Sequence, residues 1–285
     1  MFPKVPDQHK QSKPLIPNGI GVLYVLFTTI YLFLLYFLST PTDISAPLTL
    51  AVCVLFGGFM GLLDDWMDLK WRYKAFMPLI AALPLISFAI LNHARTTISL
   101  PFFGSIDFGL TYFYIIIPLI VMIITNTVNQ LGGLNGLETL CPAIVLVGLM
   151  VASPSLYLLM LGPIIAWLVL TVLNLQGKIF VGNSGSFAIG LTIASFAVIT
   201  DLKLNLAISM IPYIFNSALI LIMVFITHHK ARMEITDGKL VSNTRRSLIT
   251  LIVYKRPLTE RQVVAIIAAT VTLSTFIAGL IQLLS

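Results

Sequence analysis

The feature that most constrains this chain is a series of nine apolar segments, each long enough to cross or nearly cross a lipid bilayer. They run over 20–38, 48–63, 76–91, 110–125, 140–151, 156–173, 187–199, 204–226 and 263–284. Only 10% of the 285 residues are charged and 58% are hydrophobic, which is far from a soluble composition. The sequence predicts an all-α polytopic membrane protein with about nine transmembrane helices, forming a single domain over residues 1–285.

The distribution of positive charge predicts how these helices are oriented. If the N-terminus is cytoplasmic, all of the 17 lysine and arginine residues except Arg95 and Lys203 fall on the cytoplasmic side, which makes 15 of them. The polar stretches near Asp64 and at 126–139, 174–186 and 227–262 then face the cytoplasm. The outer segment 96–109 alternates polar and apolar residues, which predicts a small extracellular hairpin. The expected location is the cell membrane, or the endoplasmic reticulum membrane in a eukaryote.

Three smaller features limit the class of protein further. The cations lie in loops between apolar segments, so we expect lipid headgroups and anionic substrates as partners, and no nucleic acid. Cys53 and Cys141 lie far apart in apolar surroundings and predict no disulfide framework. Residues 1–19 are polar and show no cleavable signal peptide.

The densest group of charges follows the second apolar segment. It contains Asp64, Asp65, Asp68, Lys70, Arg72 and Lys74. Adjacent carboxylates suit a divalent cation or a proton transfer, and the nearby cations suit phosphates. The alternative is an ordinary cytoplasmic loop rich in positive charge. That alternative does not explain why Asp64 and Asp65 lie directly next to an apolar segment.

Two stretches rich in asparagine and glycine follow the fourth and sixth segments. Asn126 and Asn129 lie three residues apart and would share one face of a helix end. Their side chains offer oxygens to a hard cation or amides to a phosphate, although helix capping and a glycine turn are the alternative. Residues 182–186 at a helix start would present backbone N–H groups to an anion, or form a tight turn. Asn183 offers a metal ligand there, and Phe180 a face for a ring.

The last polar loop begins with a compact cationic cluster of His228, His229, Lys230 and Arg232. Such a cluster can neutralise a diphosphate, and the histidines can donate to its oxygens. Basic clusters beside membranes also bind anionic lipid, which is the alternative interpretation. Residues 245–256 carry two further basic pairs around apolar residues and predict an amphipathic segment on the membrane surface.

Taken together and in order, these motifs resemble the polyprenyl-phosphate N-acetylhexosamine-1-phosphate transferases. The chain is most similar to the UDP-GlcNAc:dolichyl-phosphate GlcNAc-1-phosphate transferases of eukaryotes and archaea. The matching motifs are 16–22, Asp64 and Asp65 with 69–74, Asn126 and Asn129 with 133–138, and 180–182. The family usually has aspartate where this chain has Asn183, and ten spans where nine are visible here.

The resemblance implies a reaction and a set of roles. A lipid monophosphate, polyprenyl or dolichyl, attacks a UDP-amino sugar and releases UMP, in the first step of lipid-linked glycan assembly. Asp64, Asp65 and Lys74 would be catalytic, and Mg2+, or Mn2+, would bind at Asn129 and Asn183. The substrate-binding positions would be Asn18, Asn126, Gly133, Asn135, Glu138, Phe180, His228, His229 and Arg232, with the uracil ring against Phe180. The resemblance also allows a homodimer.

Two other functions stay open at this point. The first keeps the reaction but uses another UDP-sugar, such as a muramyl donor, or undecaprenyl phosphate as acceptor. The second is a transporter of an anionic metabolite with Asp64 and Asp65 as its ion site. Transporters place charge near the bilayer midplane and often contain repeats, whereas these charges lie at one face and no repeat is visible.

Overall fold

The protein is mainly helical in the computed structural model, which describes residues 2–38, 46–100, 104–227 and 233–284. The helices are α1 (Gly21–Leu38), α2 (Ala46–Met67), α3 (Trp71–Phe76), α4 (Pro78–Ala81), α5 (Leu83–Leu91), α6 (Ile117–Gln130), α7 (Leu137–Ala152), α8 (Tyr157–Leu175), α9 (Gly182–Ile199), α10 (Lys203–Ser209), α11 (Ile211–Thr227), α12 (Leu248–Ile252) and α13 (Glu260–Leu284). A π-helical turn, Tyr112–Ile116, leads into α6, and a 3-10 turn, Pro154–Leu156, leads into α8.

Within the described ranges, six short strands pair as three antiparallel hairpins. They are β1 (Lys4–Pro6) with β2 (Leu15–Pro17), β3 (Thr97–Leu100) with β4 (Gly104–Asp107), and β5 (Glu234–Thr236) with β6 (Lys239–Val241). The middle hairpin confirms the one predicted over 96–109, while its extracellular position stays a prediction. The other two hairpins were not predicted, because each strand is only three residues long and lacks a distinctive alternation.

Seven helical segments in the described part of the chain are long and apolar enough to cross a membrane. An eighth results if α10 and α11, which meet at an angle of 57°, form one broken span. The remaining apolar helix, α7, is shorter than a full span. Every predicted apolar segment therefore falls on a helix and the multi-pass helical class is confirmed, whereas the count of nine spans stays a prediction.

Helix α9 lies at the centre of the helical assembly. All its residues from Ser184 to Val198 are buried, whereas the other spanning helices keep large exposed apolar faces. Glycines allow its neighbours to approach closely: a Cβ on Gly21 of α1 would lie 2.2 Å from the Cα of Gly185. A Cβ on Gly190 of α9 would likewise lie 2.9 Å from the Cα of Thr125 in α6. The N-terminus of α9 is therefore held at a fixed point between several helices.

The structure corrects the predicted boundary of the charged stretch after the second segment. Asp64 and Asp65 do not lie in a polar hinge, because α2 remains helical through both and ends at Met67. Asp68 then adopts a left-handed backbone, with φ at +46°, and α3 begins three residues later. The helix can carry the two carboxylates at its end because both find protein partners.

At the opposite end of α9, Lys203 joins the β3–β4 hairpin to the helices. Its ammonium donates to the carbonyls of Arg95 and Thr97, pairs with Asp201 at 2.7 Å, and lies 4.3 Å from the Tyr112 ring centroid. Only 7% of Lys203 is exposed, so its charge is compensated within the protein. This contact fixes the hairpin at the end of the molecule that lies away from Asp64 and Asp65.

Candidate active site

Asp64 lies in the last turns of α2 and is 3% exposed. Its Oδ1 accepts the backbone N–H of Leu69 at 3.0 Å and pairs with Lys74 Nζ at 2.8 Å. The same lysine lies 3.6 Å from Asp68, whose side chain is 99% exposed. The second oxygen of Asp64, Oδ2, is buried and has no hydrogen-bond partner among the described residues. Asp64 thus orients Lys74 with one carboxylate oxygen, while its other oxygen has no hydrogen-bond partner among the described residues.

Asp65 faces a different element, the N-terminus of α9. Its Oδ1 accepts the backbone N–H of Asn183 at 2.9 Å, and its Oδ2 accepts that of Ser184 at 3.0 Å. These N–H groups belong to the first turn of a helix and have no partner within it. The positive end of the helix dipole also favours a carboxylate. Asp65 therefore caps α9 from a neighbouring helix, which the sequence of α9 alone does not reveal.

Glycines bring α2 close enough for this contact. Gly57 and Gly61 lie four residues apart on the face of α2 that packs against α9. A Cβ on Gly61 would lie 2.1 Å from the carbonyl oxygen of Asn183, and one on Gly57 would lie 2.8 Å from the Cα of Ala188. Larger side chains here would separate the two helices, so the glycine pair sets the reach of Asp65.

Asn129 joins the same group of residues from α6. Its Oδ1 accepts the hydroxyl of Ser186 at 2.7 Å, one turn into α9. Asn183, half-buried, begins that helix beside Asp65. We call Asp65, Asn129, Asn183, Ser184 and Ser186 the α9 cluster. The structure therefore brings together both residues predicted as metal ligands and one of the predicted catalytic aspartates.

The donor atoms around the α9 cluster fit a hard divalent cation. Within the described ranges, no three His, Cys, Asp or Glu side chains are grouped to hold a metal. Carboxylate and amide oxygens are nevertheless present at Asp65, Asn129 and Asn183, and the unmatched Oδ2 of Asp64 belongs to the residue preceding Asp65. Magnesium takes oxygen ligands and keeps several waters, so it does not require a cage made only of protein groups.

Asn126 is on the same helix as Asn129 but makes different contacts. Its Nδ2 donates to the carbonyls of Ala75 at 3.1 Å and Met122 at 2.8 Å. The first bond ties α6 to α3, the helix that carries Lys74. In this structure Asn126 holds the position of Lys74, and its predicted contact with substrate stays a prediction.

The N-terminal segment closes one side of the α9 cluster. The backbone of Phe180 donates to Pro17 at 2.8 Å and accepts from Ile20 at 3.2 Å, and Gly21 donates to Val181 at 2.9 Å. The Cα of Gly19 lies where a Cβ on Gly182 would come within 2.9 Å. Asn18 and Phe180, both predicted to bind substrate, are therefore neighbours along this backbone pairing, and both are half-buried.

Asn135 is held by two carboxylates. Its Nδ2 donates to Asp7 at 2.8 Å and to Glu260 at 2.9 Å, and its backbone N–H donates to Glu260 at 2.7 Å. Asp7 is fully buried and also pairs with Lys10 at 3.1 Å. Burial raises the pKa of Asp7, but hydrogen bonds from Asn135 and His9 N–H, together with Lys10, outweigh it and lower the pKa. Asp7 is therefore ionised near neutral pH.

Sequence reasoning missed Asp7, Glu260 and one further polar residue, Asn174. Asn174 is fully buried, accepts from the Gly136 backbone at 2.7 Å and from Thr139 at 3.1 Å, and donates to the Ile179 carbonyl at 2.8 Å. It thereby fixes the loop that carries Asn135 against the loop before Phe180. Its place in the stretch 174–186 was the only available signal, because Gly136 and Thr139 are more than 30 residues away in sequence.

A cavity of about 560 Å3 opens beside these loops. It is lined by Gln8, His9, Lys13, Gly132, Gly133, Met233, Ile235, Ser247, Ile249 and Thr250. Gly132 also lies against the side chain of Glu138, since an added Cβ would lie 3.5 Å from its Cγ. Burial, together with the charge of Asp65, raises the pKa of Glu138 to about 8. Gly132 and Gly133 therefore place one wall of the cavity on the loop that follows α6, the helix that carries Asn129.

The remaining predicted residues, His228, His229 and Arg232, lie outside the described residues. Met233 and Ile235, which follow them, line the cavity. Cys53 and Cys141 are both free and buried, which confirms that they form no disulfide framework.

The fold and these contacts define a class: a multi-pass helical membrane protein with a site of carboxylates, amides and a lysine at one end of its helices. The family model described as glycosyl transferase family 4 matches residues 47–201, more than half of the chain. The chain belongs to this family, which confirms the resemblance seen in its motifs.

Relatives from three domains of life match over most of the chain. A protein of Saccharolobus solfataricus, provisionally named UDP-N-acetylglucosamine–dolichyl-phosphate N-acetylglucosaminephosphotransferase, is 33% identical over 218 residues, covering 73% of this chain and 66% of that protein. The Saccharomyces cerevisiae protein with this name is 27% identical over 265 residues, covering 74% of this chain and 58% of its own length. A phospho-N-acetylmuramoyl-pentapeptide-transferase of Clostridium perfringens is 28% identical over 260 residues, covering 79% of this chain and 78% of that protein. The chain spans about two thirds or less of the length of the first two relatives.

Proposed function

We propose that this chain transfers N-acetylglucosamine 1-phosphate from UDP-N-acetylglucosamine to a polyprenyl or dolichyl phosphate and releases UMP. The observation that carries the proposal is the arrangement around the start of α9. Asp65 accepts two free amides of its first turn, Asn129 accepts the hydroxyl of Ser186, and Asp64, the residue before Asp65, orients Lys74. Membership of glycosyl transferase family 4 and the names of the archaeal and yeast relatives support the same reaction.

In the proposed reaction, an oxygen of the lipid monophosphate attacks the β-phosphorus of the UDP-sugar. A new bond joins that oxygen to the β-phosphorus, and the bond from the β-phosphorus to the bridging oxygen breaks. The bridging oxygen leaves with UMP, and the lipid carries a diphosphate sugar. Since the second pKa of a phosphate monoester is about 6, most acceptor enters as the dianion near pH 7.5. The protein therefore needs mainly to position the reactants and to offset negative charge.

Lys74 is the residue we assign to offset charge directly. Its side chain is 27% exposed, and its ammonium donates one N–H to Asp64, which leaves further N–H groups for phosphate oxygens. Asp64 holds this lysine in position through an ion pair of 2.8 Å. Asp65 acts differently in this proposal: it fixes the first turn of α9, and with it Asn183 and Ser186. Both aspartates serve the reaction, but through different partners.

We assign a Mg2+ or Mn2+ ion to the side-chain oxygens of Asn129 and Asn183, beside the carboxylate of Asp65. When bound, such an ion neutralises part of the negative charge on a diphosphate. The amide and carboxylate oxygens of the α9 cluster support this assignment.

The cavity beside Gly132 and Gly133 is assigned to the nucleotide side of the donor, and we call it the donor cavity. Its volume of about 560 Å3 lies in the range of small-molecule sites. Lys13 supplies a cationic group and His9 a polar one to its wall, and the two glycines supply accessible backbone. Asn135, predicted to contact the nucleotide, belongs to the loop that carries Gly132 and Gly133, and Asn174 holds this loop against the one before Phe180.

The proposed orientation places this end of the helices in the cytoplasm, where a soluble nucleotide sugar meets a lipid phosphate whose tail remains in the bilayer. The charge distribution of the loops supports it. The homodimer stays a prediction.

The test is UMP release by purified protein supplied with UDP-N-acetylglucosamine, dolichyl phosphate and Mg2+, beside the variant Asp65→Asn. The wild-type protein should release UMP in proportion to lipid product. Asp65→Asn keeps the shape but loses the charge on the α9 amides, and we expect a loss of about 100-fold. An inactive wild-type protein under Mg2+ and Mn2+ alike, or a fully active variant, would contradict the proposal.

The relative from Clostridium perfringens favours one second candidate, transfer of phospho-N-acetylmuramoyl-pentapeptide, because the match covers 78% of that protein. The same assay distinguishes the two donors. UMP release from the UDP-muramoyl-pentapeptide, with none from UDP-N-acetylglucosamine, would replace the first candidate by the second.

A further inference from the structure

Asn216, in α11, joins two elements that are distant in sequence. Its side-chain Nδ2 donates to the backbone carbonyl of Gln130 at 3.3 Å, and its Oδ1 accepts the backbone N–H of Leu248 at 2.9 Å. Only 1% of the residue is exposed. Both ends of one buried amide are therefore used, each by a different part of the chain.

The two backbone groups belong to helix ends. Gln130 is the last residue of α6, and Leu248 is the first residue of α12. The last carbonyls and first N–H groups of a helix have no partner within it, and a buried group without a partner is costly. Asn216 satisfies one group of each kind, so it fixes the end of α6 relative to the start of α12.

Side-chain hydrogen bonds tie helix α12 to the residue that precedes it. Ser247 Oγ accepts the backbone N–H of Thr250 at 3.2 Å, and Thr250 Oγ1 accepts the backbone N–H of Ser247 at 2.9 Å. This reciprocal cap closes the short helix on itself. A shift at Leu248 is therefore transmitted to Thr250.

These two helix ends carry two walls of the donor cavity. Gly132 and Gly133 directly follow α6, while Ser247, Ile249 and Thr250 belong to α12 and its cap, and all five line the cavity. Asn216 is not among the lining residues. Its contacts nevertheless determine how far apart the two walls lie.

We propose that Asn216 is a positioning residue that sets the width of the donor cavity and thereby the affinity for the nucleotide sugar. The role of the cavity rests on the proposed function, whereas the link between α6 and α12 does not. The residue touches neither substrate nor reacting atoms, so its loss raises the KM for the donor and leaves kcat almost unchanged.

Asn205 provides a matched control within the same broken span. It lies in α10, is 7% exposed, and donates to the Ala278 carbonyl at 3.2 Å and to Gln282 at 2.6 Å. Replacement of either asparagine by leucine removes buried hydrogen bonds of similar kind. Of the two asparagines, only Asn216 connects to walls of the cavity. A general loss of stability would therefore affect both variants, whereas a positioning effect would appear only in Asn216→Leu.

The kinetic test compares Asn216→Leu with Asn205→Leu in UMP release at varied UDP-N-acetylglucosamine. For Asn216→Leu we expect the KM for the donor to rise about tenfold, because the altered cavity binds the nucleotide sugar less tightly. We expect kcat to stay within about threefold, and Asn205→Leu to keep the wild-type KM. An unchanged KM in Asn216→Leu, or an equal rise in both variants, overturns the proposal.

A second measurement does not depend on activity. Spin labels on Ile123→Cys in α6 and Leu251→Cys in α12 occupy positions that are 40% and 37% exposed, while both native cysteines are buried. Electron paramagnetic resonance should give one narrow distance in the wild-type background and a shifted or broader one with Asn216→Leu. If the wild-type protein releases no UMP, the proposed function fails. In that case the distances between the spin labels alone test whether Asn216 links α6 to α12. A distance distribution that Asn216→Leu does not change would overturn this link.

Discussion

Asp64 and Asp65 are adjacent along α2, yet their carboxylates serve different elements. Asp64 pairs with Lys74 and the Leu69 amide, and Asp65 caps the start of α9. Adjacent residues on a helix point about 100° apart, so each carboxylate reaches a different neighbour. Lys74 has two carboxylate partners at different distances, Asp64 at 2.8 Å and Asp68 at 3.6 Å.

At this scale we predict a large loss of activity when Lys74 is replaced and a small one when its exposed partner Asp68 is replaced. Lys74→Gln should lower UMP release about 100-fold, because it removes the cation and leaves the buried Asp64 unpaired. Asp68→Asn should change it by less than about threefold, because this exposed partner lies 3.6 Å away and surface pairs contribute little. Asparagine also tolerates the left-handed backbone of position 68.

Steady-state UMP release, with folding checked by size-exclusion chromatography in detergent, measures both effects. A loss with Asp68→Asn as large as that with Lys74→Gln would show that Asp68 holds the lysine during the reaction.

At the scale of elements, contacts between helices decide where the functional groups lie. The glycines of α2 allow α9 to approach, and Asp65 follows Gly61 by four residues, one turn along the helix. The α9 cluster therefore depends on the packing distance of two helices as much as on its own side chains.

We predict that Gly61→Ala destabilises the protein and reduces its activity. A Cβ at this position would lie 2.1 Å from the Asn183 carbonyl oxygen, so α2 must move away from α9. Overpacking of this kind costs about 1–3 kcal/mol, and the shift draws Asp65 away from the amides. The expected result is a lower melting temperature in detergent and at least about a tenfold loss of UMP release.

The matched control for this variant is Gly279→Ala in α13, where an added Cβ meets nothing within 4 Å. It should leave both quantities close to wild type. A stable and active Gly61→Ala protein would show that the two helices tolerate separation at this point.

The sequence predicted the helices well, because long apolar segments such as 20–38 and 263–284 leave few alternatives. For residues 182–186 it left a helix start and a tight turn open, and the structure shows the start of α9 there. It could not predict that Asp65 caps that helix, since the contact joins positions 118 residues apart. The hold of Asp7 and Glu260 on Asn135 was missed for the same reason. The short hairpins β1–β2 and β5–β6 carry too few residues to give a periodic signal.

At the scale of the whole molecule, the polar groups separate into two ends. The α9 cluster and the donor cavity lie at one end, and the β3–β4 hairpin, held by Lys203, lies at the other. The predicted orientation puts the first end in the cytoplasm.

Single cysteines test this orientation in intact cells. Lys239→Cys, in β6, should react with a membrane-impermeant maleimide only after permeabilisation, whereas Ser105→Cys, in β4, should react from outside. Both positions are exposed, and the native cysteines are buried. The reverse pattern would place the site on the opposite side of the membrane and exclude cytoplasmic donors.

The pairing of residues 17–21 with residues 180 and 181 also bears on biogenesis. The ribosome delivers the first of these segments long before the second, so the early segment lacks its main-chain partners while the intervening spans are inserted. Nascent chains that stop before residue 180 must leave it exposed to proteases and chaperones. Completion of the catalytic end is therefore a late event in membrane insertion, and it coincides with the arrival of α9.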